Sequence, residues 1–141
     1  MATVIRAEVS TKNKYWIPKH RHYELKHFCL QYPFWKKEYT RLDCSNLSAA
    51  APIMDYISST NTPSDPTGKY VLIRDYYRGK IKLIEEAAKN ADEFLYSYII
   101  KAVTEGLSFT YLQTVMGIPC SRDTYYDRYR KFFWLLSKSR D

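Results

Sequence analysis

Apolar residues recur at helical spacing along most of the chain, and no segment alternates with the period of two that a half-buried strand requires. In residues 20–41, Leu25, Phe28, Cys29 and Tyr32 share one helix face. Pro33 interrupts that face, because proline lacks the backbone donor and its ring clashes with the preceding turn. A helix broken or kinked near Tyr32 is expected. Residues 43–67 hold Pro52, Pro63 and Pro66 among many Ser, Ala, Asn and Thr, which reads as a connection. Asp65 or Thr67 is placed to cap a helix running on through Ala91, with Leu72, Tyr76, Ile81 or Leu83, Ile84 and Ala87 as its apolar stripe. Gly79 inside that helix costs roughly 1 kcal/mol against Ala, and close packing of a neighbouring helix is the expected reason. In residues 92–103 the period continues through Leu95, Tyr98, Ile99, Ala102 and Val103, and Gly106 follows as a left-handed stop.

The last forty residues carry the most specific pattern. Ser108 can cap a short helix over 109–116, with Leu112 and Met116 facing inward and Gly117 ending it. After Ile118, Pro119 and Cys120, Ser121 can cap a final helix. There Tyr125, Tyr129, Phe132 and Leu136 line one side, while Asp123, Asp127, Arg130, Lys131 and Lys138 occupy the other. Arg122 belongs to the first turn, Tyr126 to the border, and Trp134 is an apolar residue on the polar side, suited to a partner surface. Short helix, glycine turn and capped helix with an apolar back and a polar front describe a helix-turn-helix. A helix that lies in the major groove needs one anchored side and one exposed polar side. The alternative is a plain helical hairpin with a solvated charged face, since acidic residues in a first turn also favour the helix dipole.

Charge sharpens the picture. The 141 residues carry 22 Lys and Arg against 15 Asp and Glu, a net +7, and 45% of residues are hydrophobic, so a folded helical domain with a polyanionic partner is expected. The surplus is at the ends: residues 12–41 carry +6 and residues 122–141 carry +3, while residues 42–121 carry −2. Lys12, Lys14, Lys19, Arg21, Lys36 and Lys37 are therefore candidate phosphate contacts, joined by His20 and His22. The organisation that follows is a basic N-terminal helical segment with its Pro/Ser-rich connection (1–64), then a long helix and the helix-turn-helix (65–141).

Other chemistry finds little support. Cys29, Cys44 and Cys120 are odd in number and far apart, which suits reduced thiols in the cytoplasm, with Cys29 as a small packed hydrophobe. No apolar run suits a signal peptide or a membrane span. No His or Cys pair has metal-ligand spacing, and no phosphate loop, nucleophile elbow or HExxH motif occurs, so no enzyme, metal or cofactor is expected. The run of residues 32–39 (YPFWKKEY) reads first as a hydrophobic plug with snorkelling lysines. Its alternative is base stacking of a single strand by Phe34, Trp35 and Tyr39.

Residues 106–136 (GLSFTYLQTVMGIPCSRDTYYDRYRKFFWLL) resemble the helix-turn-helix of sigma-factor region-four domains. They are more similar still to phage regulators of the RinA and ArpU type, which activate late or packaging genes. Residues 25–39 resemble the N-terminal helix of those regulators with its "YP" element, and residues 75–87 resemble their middle helix with its "RGK"-like triplet. The resemblance implies recognition positions at Ser121, Arg122, Asp123, Tyr126, Asp127 and Arg130, and Lys131 on the same polar side completes the candidate set. Pro119 and Cys120 lengthen the turn relative to the sigma-factor pattern, and Tyr125 and Tyr126 replace a small or branched residue plus a polar one. The implied function is a sequence-specific transcriptional regulator of a phage or mobile element that contacts double-stranded DNA, RNA polymerase or a second copy of itself. The alternatives are a DNA-packaging adaptor resembling a small terminase subunit and a protein-binding inhibitor of a nucleic-acid enzyme.

Overall fold

The break expected at Tyr32 separates two helices, α1 (Lys19–Leu30) and α2 (Tyr32–Asp43), with Gln31 between them donating its N–H to the Phe28 carbonyl. Pro33 sits in the first turn of α2, where its missing donor costs nothing. The computed structural model describes residues 13–43 and 66–140, and these contain no strand. A long helix α3 (Pro66–Ala91) is followed by α4 (Tyr96–Glu105), α5 (Phe109–Thr114) and α6 (Arg122–Arg140). The fold is all-α. Asp65 and Lys12 lie outside the described residues, and Thr67 falls within the first turn of α3 instead of capping it.

The described residues fall into two compact units, residues 13–31 with 83–140 and residues 32–43 with 66–82, so the boundary lies inside α3 after Lys82. In the first unit α1 packs on α4 and α6, and α4 on α5. Its core is built from Leu25, Phe28 and Cys29 of α1, Ile84, Ala88 and Ala91 of α3, Ile99 and Val103 of α4, Phe109 and Leu112 of α5, and Tyr125, Phe132, Phe133 and Leu136 of α6. In the second unit Leu42 and Tyr70 are buried together, with Ile73 and Tyr77 packed against them, and Trp35 and Tyr32 are also buried. The hydrophobic-plug reading of residues 32–39 therefore holds for Tyr32 and Trp35, whereas Phe34 stays exposed.

Two expectations for α3 are corrected. Leu72 and Tyr76 are exposed, and the covered line runs through Tyr70, Ile73, Tyr77, Ile81, Ile84, Ala88 and Ala91. The N-terminal half of α3 has large apolar residues on several faces, so spacing alone permits either line, and Leu42 of α2 selects the one containing Tyr70. Gly79 is not held by close packing, because a Cβ built there meets nothing within 4 Å.

The other local signals hold. Gly106 closes α4 at φ 69°, and Gly117 has φ 63°. Both lie in the left-handed region that glycine enters without steric cost. Between α3 and α4, Asp92 Oδ1 accepts from the N–H groups of Phe94 (2.9 Å) and Leu95 (3.0 Å), so α4 starts only at Tyr96.

Candidate nucleic-acid interface

Ser108 accepts from Tyr111 N–H at 3.2 Å and so starts α5, which spans Phe109–Thr114, shorter at its end than the sequence suggests. Phe109 and Leu112 turn inward, while Met116 is half-buried beyond the helix. Ile118 buries in the connection, its N–H donating to the Leu112 carbonyl, and this fixes the turn around Gly117. Ser121 then accepts from Thr124 N–H at 3.2 Å and starts α6. A capping hydroxyl of this kind contributes about 1 kcal/mol and orients the exposed first turn.

An aromatic column seats α6. Tyr125 stacks near Phe109 (5.4 Å between centroids) and Tyr129 (5.8 Å), Tyr129 meets Phe133 (5.0 Å), and Phe133 meets His22 of α1 (4.9 Å). Burial pushes the Tyr125 and Tyr129 hydroxyls well above their ordinary range, so both remain neutral. Spacing identified Tyr125, Tyr129, Phe132 and Leu136 but missed Phe133, the ring that reaches α1.

The predicted recognition residues gather on the N-terminal half of α6. Arg122 is exposed, its guanidinium lying over the Phe109 ring (5.8 Å) and the Tyr126 ring (5.6 Å). Ser121 and Asp123 are exposed beside it, Tyr126 is half-buried at the border, and Lys131 is half-buried. Arg130 is half-buried with its Nε shielded from water and without a hydrogen-bond partner among the described residues. Asp127 accepts from Arg128 Nη1, and Arg128 Nε donates to Asp92 Oδ2 at 3.0 Å. Partial burial pushes the Asp92 carboxyl up, but the donors from Leu95, Arg128 and Phe94 outweigh it and hold the group below the usual carboxylate range. Arg128 and Asp92 thus form a buttress that ties the α3–α4 turn to α6. Neither residue stands out in the sequence, because they are 36 positions apart.

The C-terminal half of α6 is held by contacts from residues 15–28. Tyr15 lies 5.5 Å from Trp134, and Lys138 Nζ lies 4.0 Å over the same ring, so Trp134 is half-buried and not the open partner surface its position suggests. Arg21 donates to Ser137 Oγ (3.1 Å) and to the Ser137 carbonyl (2.9 Å), and it pairs with Glu24 (2.8 Å). Arg140 also pairs with Glu24 (3.0 Å) and lies over Phe28. Donation by Arg140 and Arg21 holds the Glu24 carboxyl low. Arg21, expected at phosphates, is engaged in joining α1 to α6.

Lys14 and Lys19 are exposed in the same unit as α6, and Lys36 and Lys37 are exposed on α2 in the other unit. His22 is corrected: only 4% exposed, it packs among Phe133, Tyr129 and Tyr23, and burial with Lys26 nearby pushes its pKa down to about 4. A neutral, buried imidazole makes no phosphate contact at neutral pH. His20 is exposed, and Cys29 is buried as expected, its thiol pushed far up by that burial.

Among the described residues no three His, Cys, Asp or Glu side chains cluster as metal ligands, and no helix is long and apolar enough to cross a membrane. No family model, curated protein or solved structure matches the chain.

Proposed function

We propose that the protein is a sequence-specific DNA-binding regulator of the phage or mobile-element kind that its C-terminal third resembles, with α5, the Gly117 turn and α6 acting as a helix-turn-helix. The observation that carries this reading is the division of α6 into two halves. Its C-terminal half is clamped by Tyr15, Arg21 and Glu24, whereas its N-terminal half presents Ser121, Arg122 and Asp123 to solvent on an aromatic seat. A recognition helix needs a rigid back and a free N-terminal front, because base edges in the major groove are read by the first turns of the helix.

In this reading Arg122 donates to a guanine edge, Arg130 and Lys131 reach the same groove or its phosphates, and Lys14 and Lys19 add phosphate contacts. The regulator acts through RNA polymerase or a second copy of itself in the cytoplasm, and no enzymatic step is involved. Selection from a random-sequence duplex pool tests the proposal. Enrichment of a defined motif is the expected result. A pool that stays random while the protein still binds duplex would overturn sequence-specific regulation, and a ring of eight or more subunits in native mass measurement would favour the packaging adaptor instead.

A further inference from the structure

The unit formed by residues 32–43 and 66–82 has charge and aromatic surface that duplex recognition by α6 leaves unused. Over residues 32–82 the sequence holds eight Lys or Arg against five Asp or Glu, a net +3. On this basic body three large apolar side chains stand in solvent: Leu72 at 70%, Tyr76 at 60% and Phe34 at 56% exposure. They are not scattered. Phe34 of α2 meets Tyr77 of α3 edge to face at 6.1 Å, and Tyr77 meets Tyr76 at 5.5 Å, so the rings form one chain across both helices. Lys80 Nζ lies 4.8 Å from the Tyr76 ring centroid and 5.3 Å from that of Trp35. Leu72, Tyr76 and Lys80 follow one another at intervals of four, which aligns them along α3, and Lys37 stands one turn beyond Phe34 on α2.

The chemistry of the occupant follows from this mixture. An apolar partner would strip water from the exposed Lys37 without supplying counter-charge, which is unfavourable. A duplex keeps its base faces stacked and offers nothing to exposed rings. A single strand presents flat bases and phosphates together, matching rings flanked by cations. We propose that this face of α2 and α3 binds a single strand of nucleic acid, with bases stacking on Phe34 and Tyr76 and phosphates meeting Lys37. The site belongs to the other unit from α6 and does not depend on duplex reading by that helix.

Fluorescence anisotropy of the full chain at low salt, with a labelled oligothymidylate and an abasic strand of equal length, tests it. The wild type binds the oligothymidylate roughly tenfold or more tightly than the abasic strand, the scale expected for base–aromatic stacking. Tyr76→Ala and Phe34→Ala each remove most of that preference and leave abasic and duplex binding unchanged, Tyr76→Trp retains it, and Lys37→Ala weakens both strands. Both rings are exposed, so circular dichroism should be unaltered, and the wild-type comparison needs no variant. Equal wild-type affinity for the two strands would overturn the proposal. So would a wild-type dimer in sedimentation that Tyr76→Ala disperses, because the face would then belong to a second copy.

Discussion

His22 shows how one buried side chain couples stability to pH. Its pKa falls from 6.5 to about 4 because burial among Phe133, Tyr129 and Tyr23 disfavours the charged form. Above pH 6.5 the imidazole is neutral whether the chain is folded or not. Between 6.5 and 4 the unfolded chain takes up a proton that the folded chain refuses, so stability falls as the pH falls, by at most about 2 kcal/mol at pH 5. Glu24 and Asp92, whose carboxyls are held low, lose their contributions only at more acidic pH. Urea unfolding of wild type and His22→Gln at pH 7 and pH 5 separates the effects. The variant should be less stable at pH 7 yet show a much shallower loss on acidification. Equal losses in both proteins would show that His22 is not the titrating group.

The glycines divide by what their helices require of them. Gly79 lies mid-helix with open space where a Cβ would stand, so Gly79→Ala should stabilise the protein by about 0.5–1 kcal/mol. Gly117 has φ 63°, so Gly117→Ala should destabilise by about 1 kcal/mol or more and loosen the turn that precedes α6. Urea midpoints of the two variants moving in the same direction would contradict this assignment. The sequence made the helix ends readable, since Ser108, Gly106, Gly117 and Ser121 act through neighbours three to five positions away. The burial register of α3 was not readable. Residues 70–77 offer Tyr70, Val71, Leu72, Ile73, Tyr76 and Tyr77, and the choice among faces depends on Leu42, far away in the chain. His22, Trp134 and Arg21 escaped for the same reason, because their surroundings come from packing of Tyr15 and α1 on α6, whose paired residues lie more than a hundred positions apart.

Taken as one molecule, the protein puts its N-terminal segment to work on α6. Residues 13–31, part of the 12–41 stretch that charge marks for phosphate contacts, include Tyr15, Arg21, His22 and Glu24, all packed or bonded against the last helix. That clamp leaves the first turns of α6 as the open end. The decisive measurement is the affinity of wild type, Arg122→Ala and Arg130→Ala for a duplex carrying the selected motif and for a random duplex at the same salt concentration. Each substitution should weaken binding to the motif by about 1–3 kcal/mol, with a much smaller loss on the random duplex and unchanged circular dichroism. Equal losses on the two duplexes, or none on either, would contradict base reading by α6.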